Sequence, residues 1–589
     1  MIKSKIKFLI VGLFAISSLT ITPLKAQYKS AIKNETVLFN NVDGQLPLGK
    51  LDQYTITVSM QDSSLFGAFK EQLSRYGSVN YAGFDNFDEH IKYSNVVIVA
   101  MKSEELTAGF VTQLQQAMLN NKKVILAIFG KGEALSLLDG LKSPVLWNEH
   151  ATIETQKNAA MTIFGGLSAV NKLTKTYSNS YIKGMGEVTN QTRIQYSQGK
   201  NADINIEKLT KRIDAIAEEA IAKEATPGAV VMVVKNGQVI FEKGYGYHTY
   251  AKKVPTTINN IFDMASVSKI VGTTPVIMRL TEQGIVDLNK PIGAYLWLAK
   301  STNKKDIPLR SVMLHEAGFT PFIPFYKYLK PGDVQRYYSS THNVKVADSA
   351  YLVNHYYRDV MWPEMLKSEV KPIGNYVYSD ISMYVMKEVA EHQTGEPMQD
   401  YVQENFYRPL GMKTAGYNPR ERFAKEMIIP TENDTSFRKV LLQGYVHDQG
   451  AAMAGGVAGH AGLFASANDL AIYGQLLLNR GEYGGERFFK SETVDKFTSR
   501  QSTISRRGLG FDRWDSDLKK EYPSKLANSS VFGHTGYTGT CIWIDPQNQL
   551  VYIFLSNRVH PQVSTKLLDL NIRSRIQDAI YETIAESKK

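Results

Sequence analysis

Short apolar runs alternate with amphipathic segments over the first third of the chain. The predicted strands are Tyr54–Met60, Val79–Phe84, Val96–Met101, Lys123–Phe129 and Val145–Asn148, and the predicted helices are Ser64–Tyr76, Leu106–Asn120 and Gln156–Leu173. Strands that alternate with helices are typical of a parallel sheet covered by helices on both faces. We therefore predict an N-terminal α/β sheet domain over residues 30–175 and a polar linker over residues 176–203.

A different pattern begins at residue 204. Ile204–Lys223 carries apolar residues at helical spacing and is predicted to be a helix. The apolar runs Ala229–Val234 and Gln238–Tyr245 flank Asn236–Gly237, a dipeptide typical of a tight hairpin turn. A helix, a hairpin and a further apolar helix predict an α+β domain, which we assign to residues 204–585.

The candidate chemistry of this domain begins in the apolar, helix-like run Ile261–Gly284. Ser266 and Lys269 stand at its start, one helical turn apart and on one face. A serine hydroxyl is a poor nucleophile until a neighbour takes its proton, and a lysine whose charge is disfavoured by burial can help in this. Pro275 is unusual here, because a proline in the middle of a helix kinks or breaks it.

The spacing S-x-x-K alone identifies nothing, because it recurs along the chain in polar, turn-like sequence. It occurs, for example, at Ser30, Ser197, Ser301, Ser368 and Ser516. At Ser266 it opens a long apolar segment instead, and this context makes Ser266 the candidate nucleophile.

Two later clusters add to the candidate site. The first, YSD at Tyr378–Asp380, precedes an apolar helix-like run, Ile381–Val389. A tyrosine hydroxyl near a lysine ammonium loses its proton more readily and can serve as a base for a serine. The second, FGHTGYTGTC at Phe532–Cys541, has glycines that let the backbone pass close to a ligand, and an edge strand there would offer N–H groups to a carbonyl oxygen.

The order of the three clusters, SVSK at Ser266, YSD at Tyr378 and HTG at His534, is similar to that of serine β-lactamases and penicillin-binding proteins. Residues 205–585 resemble the class C β-lactamase-related serine hydrolases, a group that includes DD-peptidases and esterases. Further local resemblances are LHEAG at 314–318, PLGMKT at 409–414, VHD at 446–448, GGVAGHAGLF at 455–464 and GLGF at 508–511. The resemblance implies an antiparallel sheet flanked by helices, with a helical subdomain.

The same resemblance implies a role for each motif residue. Ser266 would be the acylated nucleophile, Lys269 would ease its deprotonation, and Tyr378 would act as base and then as proton donor to the leaving group. The backbone N–H groups of Ser266 and Tyr537 would form the oxyanion hole, with Gly536 beside them in the substrate-binding strand.

Two positions depart from the usual motifs. The middle motif often ends in asparagine, whereas here it ends in Asp380, which cannot donate to a substrate carbonyl. Asp380 could still hold Lys269. The last motif often begins with lysine, whereas here it begins with His534, a weaker anchor for a substrate carboxylate at neutral pH. Both departures favour a hydrolase other than an efficient β-lactamase.

The N-terminal domain carries a second resemblance. TVLFNNVDGQLPL at 36–48 and QKNAAMTIFGGLSA at 156–169 resemble the C-terminal α/β domain of family 3 glycoside hydrolases. In that family the nucleophilic aspartate lies in a preceding barrel domain, for which there is no room before residue 30. The resemblance therefore implies a non-catalytic domain, and contact with glycan is its expected role.

Composition and the first residues bear on location. The 589 residues fit two or more domains, the formal net charge is +11, and no basic block is long enough to predict a nucleic-acid-binding arm. Residues 1–26 resemble a secretory signal, with Lys3, Lys5 and Lys7 before an apolar run, and no later run is long enough to span a membrane. An uncleaved membrane anchor is the alternative. We expect an exported protein, either periplasmic or extracellular.

These observations predict a serine hydrolase that cleaves an amide or ester bond through an acyl-serine intermediate. Its expected partner is a small-molecule or cell-wall peptide substrate, with no cofactor; no metal is expected because no His/Asp/Glu cluster has ligand spacing and Cys541 is the only cysteine. His315, His447 and His460 are expected to hydrogen-bond loops around the cleft. The alternatives are a carboxylesterase, a weak β-lactamase and a non-catalytic envelope protein that binds glycan.

Overall fold

The computed structural model describes residues 35–587 except 63, 198 and 200–202, so the predicted secretory signal lies outside the described residues. The strands of the N-terminal domain are β1 (Val37–Phe39), β2 (Ile56–Met60), β3 (Val79–Ala82), β4 (Val96–Lys102), β5 (Lys123–Phe129) and β6 (Val145–Asn148). Its helices are α1 (Gly67–Ser74), α2 (Phe87–Ile91), α3 (Ala108–Leu119) and α4 (Ile153–Phe164).

The N-terminal domain is built on a six-stranded sheet with the order β1-β6-β5-β4-β2-β3. Strands β2 to β6 are parallel, and β1 pairs with β6 in the antiparallel sense. Both faces of the sheet are buried, with Val58 and Ile98 packing on one side and Val97 and Val99 on the other. The predicted parallel α/β sheet is confirmed.

The predicted helix Gln156–Leu173 is too long at its C-terminal end. Helix α4 ends at Phe164 because Gly165 adopts a left-handed conformation with φ +79°, and its backbone N–H caps the helix. A side chain on Gly165 would lie 2.2 Å from the Thr192 hydroxyl. The chain therefore turns away at Gly165, and the apolar residues that follow pack without helical structure.

The C-terminal domain is larger. Its strands are β7 (Gly228–Lys235), β8 (Gln238–Gly246), β9 (Phe262–Asp263), β10 (Val334–Gln335), β11 (Val344–Ala347), β12 (Ala350–Leu352), β13 (Pro430–Asn433), β14 (Leu441–Gln443), β15 (Phe464–Ala465), β16 (Glu482–Tyr483), β17 (Glu486–Arg487), β18 (Asp512–Arg513), β19 (Phe532–Thr535), β20 (Cys541–Asp545) and β21 (Leu550–Ser556). Its helices are α5 (Ile206–Ala222), α6 (Thr274–Glu282), α7 (Leu309–Met313), α8 (Trp362–Lys367), α9 (Asp380–Thr394), α10 (Met398–Val402), α11 (Arg408–Leu410), α12 (Gln449–Met453), α13 (Ala467–Leu478), α14 (Ser491–Thr498), α15 (Lys566–Asp569) and α16 (Ile572–Ser587).

An antiparallel six-stranded sheet, β18-β19-β20-β21-β7-β8, forms the centre of this domain. Alternate residues of β7 enter two separate cores: Val231 and Val233 pack with helices α5 and α16, while Val230 and Met232 pack with α13 on the other face. Both faces of the sheet are therefore covered by helices. The predicted fold class, including the hairpin at Asn236–Gly237, is confirmed.

Pro275 lies just after a π-helical turn, Lys269–Thr273, that leads directly into α6. Proline has no N–H to donate, and it occupies the first turn of α6, where this donor is least needed. The Thr274 hydroxyl donates to the carbonyl oxygen of Lys269 at 2.8 Å. The wide turn thus accommodates Pro275 and carries the chain from the short 3₁₀ turn Ala265–Val267 into the helix.

The two domains pack against each other over a shared apolar core. After α1, the Arg75 guanidinium forms two hydrogen bonds with the Glu242 carboxylate on β8, at 3.0 and 2.6 Å, and stacks 4.2 Å from the ring centroid of Tyr196. The backbone of Gln195, in the predicted linker, hydrogen-bonds to Gly237 and Val239. This segment therefore forms a parallel bridge to the free side of β8.

Within the part of the chain that the structure covers, we find no helix with the length and apolar character needed to cross a membrane.

Candidate functional site

Lys269 is the centre of the site. It is fully buried, and its ammonium group donates to the Ser266 hydroxyl at 2.9 Å, to the Asp380 carboxylate at 2.7 Å and to the His460 carbonyl oxygen at 3.3 Å. An ammonium group has three N–H donors, so this set uses all of them. Ser266, Lys269 and Asp380 are therefore brought together as the sequence predicts.

Asp380 keeps Lys269 charged. Burial lowers the pKa of Lys269, but the Asp380 carboxylate and the Tyr378 side chain together outweigh burial, and the net effect is a raised pKa. Burial does disfavour the lysine charge, as expected, but its effect on the pKa of Lys269 is smaller than the combined effect of the neighbouring side chains. A protonated Lys269 donates to the Ser266 oxygen, and the proton of the serine hydroxyl has to be accepted elsewhere.

Tyr378 lies close to two cations. The Lys269 ammonium nitrogen is 4.9 Å from the centroid of its ring, and the Arg507 guanidinium carbon is 5.2 Å from the same centroid. The Tyr378 ring is therefore in contact with both a buried lysine and a buried arginine.

His315 holds the segment that carries Tyr378. Its Nδ1 accepts a hydrogen bond from the backbone N–H of Ser379 at 3.2 Å, and its ring lies 4.5 Å from the Tyr378 ring, centroid to centroid. Burial holds the pKa of His315 well below its usual range, and the nearby Arg507 and Lys269 charges add to this. His315 is therefore a neutral support for the Tyr378 loop.

The turn between β19 and β20 is fixed against the residues that precede Ser266. The Thr538 hydroxyl donates to the Asp263 carbonyl oxygen at 2.8 Å, and the Thr540 hydroxyl donates to that of Met264 at 3.1 Å. At Gly536, a Cβ would lie 2.6 Å from the Met264 carbonyl oxygen. Only glycine lets the two backbones approach this closely, which brings Tyr537 beside Ser266 at one cavity.

The backbone N–H groups of Ser266 and Tyr537 have no acceptor among the described residues. Ala265, directly before the serine, has φ +45°, an unusual value for a residue with a side chain, and its N–H donates to the Asp263 carboxylate at 2.9 Å. The backbone directly before the nucleophile is thus strained and held by a buried carboxylate. Both N–H groups remain free, among the described residues, to donate to a carbonyl oxygen.

His534 is buried behind Tyr378 and is neutral. Burial lowers the pKa of His534 to about 3, with further contributions from Arg507 and Lys269. Its Nδ1–H donates to the Thr535 carbonyl oxygen at 2.7 Å, and its Nε2 faces the Arg507 guanidinium at 3.3 Å. Both ring nitrogens thus have protein partners, and the role of His534 in substrate binding stays a prediction.

The positive charge near His534 comes from Arg507, which the sequence reasoning missed. Arg507 is 3% exposed and also donates to the Tyr376 hydroxyl, at 3.2 and 3.1 Å. Its sequence signal is its place directly before the GLGF motif at Gly508. Arg507 is close to where a lysine at position 534 would put its charge, because it packs on His534 and Tyr378.

A cavity of about 480 Å³ opens on Ser266. Ser266, Tyr378, Asp380 and Tyr537 line it, together with apolar side chains such as Phe322. This volume lies within the usual range for a small-molecule site. Among the residues that the structure covers, no three or more His, Cys, Asp or Glu side chains are placed to hold a metal ion.

The Beta-lactamase family model matches residues 213–576. The chain belongs to the Beta-lactamase family. The matched stretch contains every motif of the site, from Ser266 to Tyr537.

Two curated relatives of this Beta-lactamase family chain each match 62% of it. A Bacillus subtilis (strain 168) protein named N-acetylmuramyl-L-alanine amidase is 31% identical over 389 residues, which span 84% of that protein. An Escherichia coli (strain K12) protein, whose name gives it provisionally as a D-alanyl-D-alanine carboxypeptidase, is 30% identical over 398 residues, 86% of its length. A solved structure, the β-lactamase/D-alanine carboxypeptidase of Pseudomonas syringae, is 16% identical, with a TM-score of 0.48, covering 63% of this chain and 98% of that one.

Membership of the Beta-lactamase family makes the protein a serine hydrolase of the β-lactamase/DD-peptidase type. The matched residues leave the N-terminal domain outside the family. Its likeness to the C-terminal domain of family 3 glycoside hydrolases stays a prediction, as do the domain boundaries.

Sequence reasoning did not identify Asp263, and it placed His460 beside the cleft without naming its partner. Asp263 accepts hydrogen bonds from the backbone N–H groups of Ala265 and His447, and so ties the nucleophile turn to the next loop. His460, whose carbonyl oxygen accepts from Lys269, also pairs its Nε2 with the Asp448 carboxylate at 3.0 Å. Asp448 and His460 lie in two of the motifs named above, VHD and GGVAGHAGLF. Their pairing is a tertiary contact that neither motif predicts.

Proposed function

We propose that this protein is an exported hydrolase that cleaves an amide or ester bond of a cell-wall peptide, or a related acyl substrate, through an acyl-serine intermediate. The observation that carries the proposal is the hydrogen-bonded set of Ser266, fully buried Lys269 and Asp380 at the wall of a cavity. The names of the curated relatives, which refer to bonds of peptidoglycan, favour the substrate class and export.

In the proposed reaction, the Ser266 oxygen attacks the substrate carbonyl carbon while Tyr378 takes the hydroxyl proton. The carbonyl oxygen becomes negative and is bound by the backbone N–H groups of Ser266 and Tyr537. The bond to the leaving group then breaks, and Tyr378 returns the proton to the departing amine or alcohol. Water hydrolyses the acyl ester, which releases the carboxylic acid and restores Ser266.

Lys269 acts throughout as a fixed cation. It orients the Ser266 oxygen by donating to it and stabilises negative charge on Tyr378. Asp380 holds the ammonium group in place from the opposite side. This division of roles assigns proton transfer to Tyr378, because all three N–H donors of Lys269 are occupied.

A carboxylesterase is the second candidate function. It is favoured by Asp380, whose carboxylate is bound to Lys269 and offers no N–H to the amide of a peptide substrate. An ester makes no such demand. In either case we propose that the N-terminal domain contacts glycan rather than contributing to catalysis.

The test is intact-mass analysis of wild type and Ser266→Ala after incubation with a fluorophosphonate and, separately, with a penicillin. A fluorophosphonate adduct on wild type alone is the expected result, and a penicillin adduct as well would favour the wall-peptide substrate over the ester. If folded wild-type protein forms no adduct with either reagent, the mechanism is wrong. A glycan-binding protein without catalysis would then be the better explanation.

A further inference from the structure

The cavity beside Ser266 has an acidic lining although the chain as a whole is basic. The residues that line it include Asp380, Glu432 and Asp448, and neither lysine nor arginine is among them. The only lining residues that could carry positive charge are His447 and His460. Asp380 is neutralised by Lys269, and burial raises the pKa of Glu432, so Asp448 is the carboxylate of the lining that is both ionised and without a cationic partner such as Lys269.

Asp448 is ionised, and only one of its two carboxylate oxygens accepts hydrogen bonds from the described residues. Burial raises the pKa of Asp448, but the neighbouring His460 and His447 side chains and the Ala451 N–H lower it by more, so the net pKa lies well below the usual range. Its Oδ1 accepts from the backbone N–H of Ala451 at 2.7 Å and pairs with His460 Nε2 at 3.0 Å. The side chain remains 29% exposed, on the cavity wall.

Two buried polar atoms in the same wall lack a protein partner. The Nδ1 atom of His460 and the hydroxyl of Tyr384 have no hydrogen-bond partner among the described residues, and the two residues are 3% and 4% exposed. Their rings are 4.6 Å apart, centroid to centroid, and both line the cavity. Leaving such atoms unpaired costs free energy, and a ligand that pairs with them recovers it.

The hydrogen bonding fixes what these atoms can accept. When a neutral His460 donates its Nε2–H to Asp448, its Nδ1 is an acceptor. The Tyr384 oxygen can accept as well, and the free side of Asp448 accepts only. Three acceptors, one of them an ionised carboxylate, suit a group that donates several hydrogen bonds and is positively charged.

We propose that Asp448, His460 and Tyr384 form a subsite that binds a primary ammonium group of the substrate, presented on the chain that extends from the scissile carbonyl. This subsite rests on the proposed function, because its occupant is part of the molecule that acylates Ser266. It makes the enzyme selective for cationic acyl groups over neutral acyl groups of the same shape.

The experiment uses pairs of alkyl fluorophosphonates of graded chain length, one of each pair ending in an ammonium group and the other in a methyl group. The second-order rate of adduct formation on the full chain is measured by intact mass. We expect the ammonium reagent to react about tenfold faster or more at one chain length, as one charge-assisted hydrogen bond would produce. Adduct formation with neither reagent would reject the proposed function, whereas equal rates at every length would reject the subsite alone.

Two variants, Asp448→Asn and Tyr384→Phe, test whether the faster reaction of the ammonium reagent depends on the proposed subsite. Asparagine can still cap α12 and accept from His460, so Asp448→Asn removes little besides the charge. We expect the ratio of the two rates to fall towards one in Asp448→Asn and to fall severalfold in Tyr384→Phe.

Two matched controls lie outside the cavity. Asp400→Asn removes the same charge from an exposed position on α10, and Tyr417→Phe removes another buried, unpartnered hydroxyl. Both should keep the wild-type ratio. A ratio that survives in Asp448→Asn, or that falls equally in Asp400→Asn, would overturn the assignment.

Discussion

At the scale of single residues, the proposed mechanism depends most on Tyr378, because the two groups bound to each other at Ser266, Lys269 and Asp380, are not available to take the serine proton. Lys269 has no free donor position and no lone pair while it is protonated, and Asp380 is bound to Lys269. Proton transfer then depends on one phenol oxygen.

Tyr378→Phe removes that oxygen and keeps the ring between Lys269 and Arg507. We expect kcat/KM to fall by about 10²- to 10⁴-fold, the usual contribution of a general base, with little change in melting temperature. The measurement is hydrolysis of a chromogenic ester. Tyr401→Phe, outside the cavity lining, is the matched control, and equal activity in the two variants would contradict the role of Tyr378.

His534 makes stability depend on acid. Its pKa is about 3 in the folded protein, because burial and the nearby Arg507 and Lys269 charges disfavour its protonation, and the ordinary value is 6.5. Between these two values the unfolded chain binds a proton that the folded protein does not bind. The stability contributed by neutral His534 is therefore complete above pH 6.5 and is lost as the pH falls towards 3.

His534→Gln removes this titration and keeps an amide that can face Arg507. We expect the free energy of unfolding of wild type to fall more steeply than that of the variant as the pH is lowered from 6.5 to 3. Urea unfolding at a series of pH values measures both slopes. Parallel curves would mean that His534 titrates alike in the folded and unfolded protein.

At the scale of elements, the turn from β19 to β20 positions one half of the proposed oxyanion hole. Gly536→Ala would place a Cβ 2.2 Å from the Thr540 hydroxyl and 2.6 Å from the Met264 carbonyl oxygen, so the turn must shift. We expect kcat to fall by about 10²- to 10³-fold, as when one oxyanion donor is lost.

Gly67→Ala is the control for this change, because a Cβ at Gly67 in α1 meets nothing within 4 Å. It should leave kcat unaltered and raise stability by up to about 1 kcal/mol, since alanine favours a helix more than glycine does. The readouts are ester hydrolysis and thermal unfolding. A Gly536→Ala variant as active as Gly67→Ala would contradict the assigned turn.

Most regular elements could be predicted from apolar periodicity, and the exceptions have identifiable causes. The strands Lys123–Phe129 and Val145–Asn148 were predicted to the residue, because they are continuous apolar runs in a doubly covered sheet. The π-helical turn before Pro275 could not be predicted, since the apolar pattern of a π turn resembles that of an α-helix. Only the proline indicated that the helix is irregular there.

Some residues of the candidate site could likewise be predicted from local sequence, and others could not. Ser266, Lys269 and Tyr378 stand in motifs, and their order along the chain indicates the family. Arg507 and the Asp448–His460 pair depend on which loops meet in space, which no local pattern records.

At the scale of the whole molecule, the two domains behave as one folding unit. Arg75 and Glu242 form a bidentate ion pair between the domains, with side chains 16% and 13% exposed. The apolar core on that side is continuous from one domain to the other. We therefore expect a single cooperative unfolding transition.

Arg75→Met leaves Glu242 without its partner in a largely buried position. We expect a loss of about 3 kcal/mol of unfolding free energy, because an uncompensated charge is costly there. Adding Glu242→Gln should recover part of this loss. Denaturant titration followed by fluorescence and circular dichroism measures both quantities, and two resolved transitions in wild type would contradict the coupling.

The bridge at Gln195 also affects which fragments of this protein can be handled in solution. A fragment that begins at α5 keeps every residue of the proposed catalytic site and loses the cover of β8. The unpaired backbone N–H and C=O groups of that strand would then be free to pair with another molecule. We expect such a truncated enzyme to self-associate in gel filtration, because the loss of the N-terminal domain also uncovers the apolar core shared by the two domains, whereas the full chain would remain monodisperse.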